Sequence, residues 1–310
     1  MPEFQSGMSD FSRPSAIVTG SFDGLHLGHR YLFDKLRETA RSEDLASVVF
    51  TFEPHPSLVL NPAKAPRLLT TLEERKKLFA DIPVDKVIFY PFEQSFAGMT
   101  GKEFIDFLKR HFNLQHLIVG YDHRFGSDRL ENQEQIKRVA RDADVRVSFF
   151  PPLRDDEGNI ISSSRIRRKI QERKIREANA LLGYDYMLSG EVVHGSKFGR
   201  KIGFPTANLS VSDRHKLIPP EGVYFVKAEI KGKYLPGVMN IGKRPTVNTN
   251  EKNILPEVHL LDYDGDLYGK NIRVYFKKFH RQEEKFPDTS ALKERIGSDV
   301  RSARQFFRIK

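Results

Sequence analysis

The chain contains no cysteine, which excludes disulfides, thiolate metal sites and cysteine nucleophiles and suits a reducing, cytoplasmic setting. No apolar run approaches the roughly 18 residues a membrane span requires, so no membrane partner is expected. The start, Met1-Pro2-Glu3-Phe4-Gln5-Ser6-Gly7, lacks the apolar core of a signal peptide and reads as an expression scar ahead of a native start at Met8. There is no internal repeat, no low-complexity tract and no G-x-x-x-x-G-K-[ST] loop of the Walker A type.

What is present is a chain of 310 residues, long enough for about two domains, with 39% apolar and 30% charged residues and 24 phenylalanines to fill cores. The formal charge of +10 suits nucleic acid, an anionic surface or a polyphosphate substrate, and composition does not choose among them. The densest basic run, Arg165 to Arg176, is broken by Ile166, Ile170 and Ile175 at near-helical spacing, as on a solvated helix face.

Two textures divide the chain. In the first half, apolar runs (Ala16 to Thr19, Ala46 to Phe52, Val87 to Tyr90, Leu114 to Val119, Val145 to Phe150) alternate with amphipathic stretches at Tyr31 to Ala40, Glu103 to Arg110 and Gln133 to Ala140. Strands apolar throughout and separated by helices predict a parallel, Rossmann-like α/β sheet covered on both faces. From about Ser189, Gly- and Pro-punctuated runs (Gly190 to Val193, Val223 to Ile230, Gly237 to Ile241, Glu257 to Leu261, Ile272 to Lys278) predict a small antiparallel barrel. A closing helix is expected, with Asp288 or Thr289 as N-cap and Leu292, Ile296, Ala303 and Phe307 facing the core. The expected boundaries are 8–185 and 186–310.

The first strand is followed directly by Gly20-Ser21-Phe22-Asp23-Gly24-Leu25-His26-Leu27-Gly28-His29 and then by the first helix. Glycines at 20, 24 and 28 allow close backbone approach, and the helix start offers unpaired N–H groups to phosphate. His26 and His29, three apart, face the same way and can donate to a phosphate gaining charge. Ser162, Ser163 and Ser164 at a helix start, with Arg165 and Arg167, suit triphosphate oxygens. In the second half, Gly195, Gly199, Arg200, Lys201 and Gly203 form a basic, glycine-rich loop able to wrap phosphates. Thr206 and Asn208, two apart in extended chain, offer neutral oxygens on one side, as Mg²⁺ accepts.

The H-x-G-H string resembles the signature of nucleotidylyltransferases and class I aminoacyl-tRNA synthetases. The longer G-x-F-D-G-x-H-x-G-H, with Thr51-Phe52-Glu53-Pro54-His55-Pro56, Gly120 to Gly126 and Ile161 to Arg167, resembles the FAD synthetase module of prokaryotic riboflavin kinase/FAD synthetases. That family usually has an aromatic where His123 stands and often Thr where Ser164 stands. Gly199-Arg200-Lys201-Ile202-Gly203-Phe204-Pro205-Thr206-Ala207-Asn208 resembles the riboflavin kinase family, and Asn240 to Thr246, Glu257 to Asp262 and Arg281 to Phe286 follow in its order.

The resemblance spans about residues 16 to 307. It implies a six-stranded barrel with a terminal helix, phosphorylation of riboflavin to FMN by ATP in the C-terminal part, and adenylylation of FMN to FAD in the N-terminal part. It also implies that Glu257 is the kinase base, that Gly20, Phe22, Asp23, Gly24 and Gly28 bind ATP, and that Asp122, Asn240, Arg281 and Phe286 contact flavin. The alternatives are a chain in which one half is inactive and a basic, RNA-associated protein; nucleic acid is disfavoured, because no aromatic-rich RNA-binding signature occurs.

Overall fold

The computed structural model describes residues 3–6, 11–121, 126–128, 132–195, 198–243 and 254–309. The chain divides into two compact units, Met1–Ser163 and Ser164–Lys310.

The first unit is a six-stranded parallel sheet. Its strands are β1 (Glu3–Ser6), β2 (Ser15–Gly20), β3 (Ala46–Glu53), β4 (Lys86–Pro91), β5 (Leu114–Gly120) and β6 (Arg146–Phe150), ordered β1-β4-β3-β2-β5-β6. The helices are α1 (Leu27–Ser42), the short α2 (Pro56–Leu60), α3 (Leu72–Ala80), the single turn α4 (Gln94–Ala97), α5 (Gly101–Phe112) and α6 (Gln133–Asp142). Each strand expected from its apolar run in this half is present, to within one residue at either end. The edge strand β1 lies within the segment read as a scar and pairs in parallel with β4, Phe4 opposite Val87. From β2 the chain steps outward through β3 to β4, then returns to lay β5 on the other side of β2. That reversal makes a crevice beyond the carboxyl end of β2, where open α/β sheets bind ligands.

The core beneath this crevice is aromatic. Phe50 on β3 is fully buried and its ring lies 5.3 Å from those of Tyr90 and Phe112 and 6.0 Å from that of Phe104. Truncating such a residue to alanine costs about 3–5 kcal/mol. The helices that carry this packing begin at explicit signals. At both Thr71, ahead of α3, and Thr100, ahead of α5, the hydroxyl accepts an N–H three residues on, and Glu74 or Glu103 reaches back.

The second unit opens with α7 (Ser163–Gln171), whose first residue still belongs to the first unit, and α8 (Ile175–Leu182). Ile166, Ile170 and Ile175 are buried, so the basic run is an amphipathic helix pair with its charges outward. There follow β7 (Met187–Val193), the single turn α9 (Phe198–Lys201), β8 (Ala207–Ser210), β9 (Gly222–Ile230), β10 (Lys233–Lys243), β11 (Ile254–Leu260), β12 (Asn271–Arg281) and α10 (Thr289–Phe307). The six strands close an antiparallel barrel in the order β10-β11-β8-β7-β12-β9, the number and closure the family resemblance implies. Asp288 caps α10 by accepting the Ala291 N–H at 2.8 Å. Ala303 on that helix is buried against Val223, Phe225 and Val238 on the outer wall of the barrel, with Phe307 packed beside them.

Candidate active sites

In the first unit the loop after β2 is built around backbone that few residues tolerate. Gly24 lies at φ +85°, and Phe22 and Leu25 also have positive φ although neither is glycine. Phe22 is held there by packing: its buried ring lies 4.9 Å from Phe33 and 6.4 Å from Phe79, and a Cβ on Gly20 would strike it at 2.9 Å. Asp23 is buried, and its carboxylate accepts the Leu69 N–H at 2.9 Å and both the N–H and hydroxyl of Thr70 at 3.0 Å. These bonds make Asp23 a brace for the loop.

The two histidines meet as their spacing predicts. His26 is the N-cap of α1, its Nδ1 accepting the His29 N–H at 3.3 Å, and the two rings stack with centroids 3.6 Å apart. An accepting Nδ1 leaves the proton of a neutral His26 ring on Nε2, available as a donor. A Cβ on Gly28 would meet the His26 ring at 3.1 Å and the Ile161 carbonyl at 3.2 Å, so any larger residue there would press on the His26 ring. Ser163 Oγ donates to the Asp23 carbonyl at 2.9 Å, which brings that serine to the same loop. Ser162 is half-buried and Ser164 exposed, while Arg165 and Arg167 are half-buried in the first turn of α7. Asp122 lies outside the described residues, as does His123.

One group that sequence reasoning passed over completes this region. Arg75 on α3 is buried, and its guanidinium donates to the carbonyls of Ser21 at 2.8 Å and Phe52 at 3.0 Å while pairing with Glu53. Burial pulls this guanidinium below the usual arginine range, opposed by Glu53 and Asp23; it remains charged. A cavity of about 170 Å³ opens nearby, lined by Thr19, Phe52, Pro56, Phe92, Phe96 and Phe104 among others.

In the second unit strand register gathers what sequence separates. Glu257 on β11 lies opposite Asn208 on β8 and Asn240 on β10, so the three share one row across three strands. Thr206 Oγ1 donates to Glu257 Oε2 at 3.3 Å. Asn240 Nδ2 donates to Glu283 at 3.3 Å. A cavity of about 390 Å³ between this wall and α10 is lined by Thr206, Asn240, Glu257, Arg281, Phe286 and Asp299, among others. Arg281 is gripped by Asp299, which accepts from Nε at 2.9 Å and from Nη2 at 2.6 Å. Asp299, also absent from the sequence-based set, is buried and takes His280 Nε2 at 3.2 Å as well.

A second cavity, of about 560 Å³, is lined by Arg200, Thr206, Val258, Tyr263, Asp266 and Tyr268 among others. Alternation along β11 explains the pair: Glu257 and His259 face one cavity, Val258 and Leu260 the other, and among the described residues Thr206 alone borders both. The glycine-rich loop edges this region. Gly203 lies at φ +90°, and a Cβ on Gly195 would collide with the Asn208 carboxamide at 2.3 Å. Gly199 lines the smaller cavity and Arg200 the larger, while Lys201 is exposed. Among the described residues no group of three or more His, Asp or Glu side chains is placed to hold a metal.

A parallel α/β unit with a histidine-bearing loop at its switch point, joined to a barrel with a glycine-rich basic loop over a carboxylate, defines a two-part nucleotide-dependent transferase. Comparison with known proteins is specific. The family model for FAD synthetase matches residues 8–165 and that for riboflavin kinase matches residues 182–307. The bifunctional riboflavin kinase/FMN adenylyltransferase of Escherichia coli (strain K12) is 39% identical over 294 residues, covering 94% of this chain and 92% of that one. Its counterpart in Bacillus subtilis (strain 168) is 35% identical over 297 residues, with 94% and 92% covered. The chain belongs to the bifunctional riboflavin kinase/FMN adenylyltransferase family. A crystal structure from Streptococcus pneumoniae, described as a macrolide-efflux protein, superposes with a TM-score of 0.87 at 32% identity, covering 97% of this chain and 98% of that one. No helix among the described residues is long and apolar enough to cross a membrane.

Proposed function

We propose that the barrel phosphorylates riboflavin to FMN with ATP and that the α/β unit then transfers AMP from a second ATP to FMN, giving FAD and pyrophosphate in the cytoplasm. The observation that carries the kinase half is the cavity in which Glu257, Thr206, Asn240, Arg281 and Phe286, five residues scattered over 81 positions, line one space. Its volume and its mixture of apolar and convergent polar groups suit a flavin, and the neighbouring cavity beyond Thr206 suits the nucleotide.

In the kinase step Glu257 takes the proton of the ribityl 5′-hydroxyl as that oxygen bonds to the γ-phosphorus and ADP leaves. Thr206 and Asn208 fit Mg²⁺: they are hard neutral oxygen donors beside the row that carries Glu257, with phosphate and water left to complete the shell. When bound, the ion would neutralise charge on the transferring phosphoryl group. Thr206 also orients the Glu257 carboxylate by donating to it. Arg200, Lys201 and the N–H groups of Gly195, Gly199 and Gly203 hold the phosphates.

For adenylyl transfer, an FMN phosphate oxygen attacks the α-phosphorus and pyrophosphate departs, which calls for positioning and charge stabilisation rather than a protein nucleophile. His26 and His29 donate to the phosphate as its charge grows, and the N-terminus of α1 adds N–H groups and a positive dipole end. Gly20, Phe22, Asp23, Gly24 and Gly28 shape the turn that admits ATP, and Ser162, Ser163, Ser164, Arg165 and Arg167 take the outer phosphates. The aromatic cavity at Phe52 and Phe96 accepts the flavin ring. On this reading the functional division runs 8–185 and 186–310, because the serine–arginine turn serves the adenylyl site even though the second compact unit starts at Ser164. The test is to incubate the protein with riboflavin, ATP and Mg²⁺ and follow the flavins by chromatography. FMN rising before FAD is the expected course; FMN alone would confine activity to the barrel, and neither product would overturn the reading.

A further inference from the structure

Adenylyl transfer by this unit, as proposed above, depends on the relative placement of two loops: Gly20 to His29 after β2, which receives ATP, and the end of β3, which walls the aromatic cavity. Neighbouring strands carry them, but pairing between β2 and β3 stops at Gly20 and Thr51. Beyond that point one side chain spans both.

Arg75 enters from behind, on the first turn of α3. One nitrogen, Nη1, donates to the Ser21 carbonyl at 2.8 Å, and the other, Nη2, donates to the Phe52 carbonyl at 3.0 Å and contacts the Glu53 carboxylate. The Thr51 hydroxyl adds a bond to the same Ser21 oxygen at 3.3 Å. The Arg75 side chain is 5% exposed, and its Cζ lies 5.5 Å from the centre of the Phe89 ring. Four further bonds tie the segment before α3 to the turn: Asp23 accepts the Leu69 N–H and both the N–H and the hydroxyl of Thr70, and the Gly24 N–H donates to Thr70 Oγ1 at 3.2 Å. Ser21 stands between Gly20 and the strained Phe22, so the guanidinium grips the turn where its backbone is least able to hold itself.

We infer that Arg75 is a positioning residue for adenylyl transfer, fixing the ATP-binding turn against the wall of the flavin cavity through a planar fork that reaches both carbonyls at once. Lysine cannot reproduce this, since its single ammonium is a point donor without two diverging N–H pairs. Misplacement of reacting groups by about 1 Å is enough to cost roughly 100-fold in rate, and both partners of the reaction sit on the loops Arg75 joins.

The test uses the full chain and two separate assays, FAD formation from FMN and ATP, and FMN formation from riboflavin and ATP. In Arg75→Ala, kcat for FAD formation is expected to fall about 100-fold while FMN formation stays within about twofold. Millimolar guanidinium, small enough to occupy the vacated space, is expected to restore about tenfold of that loss. Arg75→Lys is expected to fall between, at about a tenfold loss. FAD formation in Arg75→Ala within about threefold of the unchanged protein would overturn the inference. So would a loss that guanidinium leaves untouched and that Arg75→Lys does not soften, because Arg75 would then serve fold stability alone. Absence of FAD formation by the unchanged protein would remove the reading on which the inference rests, and the inference with it.

Discussion

The two units solve one problem, holding a polyphosphate beside a flavin, in opposite ways. On the proposed reading the α/β unit draws much of its site from one contiguous turn, Gly20 to His29, whose support is remote: Leu69, Thr70 and Arg75 reach the turn from 46, 47 and 54 positions away. In the barrel the residues proposed to act are themselves remote from one another, at 206, 208, 240, 257 and 281, and the register of β8, β11 and β10 aligns Asn208, Glu257 and Asn240 among them. A loop site can be read from a string but is fragile to distant changes. A register site is hard to read from any single string but is fixed by the closure of the barrel.

This contrast can be broken or sharpened by substitution. The largest effect is expected from Glu257→Gln, which removes the base while keeping its shape: FMN formation should fall about 10³-fold and FAD formation from supplied FMN should persist. His29→Ala should do the reverse, with FAD formation down about 10²-fold and FMN formation intact; equal loss of both products in either variant would end the independence of the sites. Gly195→Ala forces a Cβ onto the Asn208 carboxamide, so the kinase should need about tenfold more Mg²⁺ for half-maximal rate, measurable by metal titration.

Asp23→Asn keeps the shape but weakens the brace, at about 1–3 kcal/mol of stability in the first unit, visible as a lower denaturant midpoint for that unit with the barrel transition unmoved. The smallest effect concerns pH. Burial pulls the His280 imidazole below its ordinary value, only partly offset by Asp299. The unfolded chain therefore takes up that proton first, at about pH 6.5, and the contribution of neutral His280 is present above that pH and lost as pH falls. Melting followed from pH 8 down to 5 should show the decline, and His280→Gln should flatten it.

The same contrast explains what was legible beforehand. The parallel sheet was readable because β2, β3, β4 and β5 are apolar runs with helices between them, and the histidine turn because its spacing carries its geometry. Helix α3 was passed over: five of its nine residues are charged and its apolar stripe is weak, although the Thr71-x-x-Glu74 capping box before it was a usable signal. Arg75 and Asp299 could not be picked from sequence, since a buried charge looks like any surface charge until its partner, 54 positions off for Ser21 and 18 for Arg281, is brought to it. Strand β8 is only four residues long and starts inside the G-F-P-T-A-N string, two positions after Pro205. Asn240 and Glu257 were available only through family resemblance; the row they form with Asn208 is a product of barrel closure.

Strand β11 separates two cavities, and on the proposed reading riboflavin lies on the face of Glu257 and the nucleotide on the face of Val258. Because Thr206 is the one lining residue that the two chambers share among the described residues, neither substrate, so placed, stands in the other's doorway. Either can therefore arrive first, and reciprocal plots of FMN formation against one substrate at several levels of the other should intersect rather than run parallel. On that reading the wall that separates the two guests also has its crossing for the phosphoryl group at the hydroxyl of Thr206, where the two cavities meet.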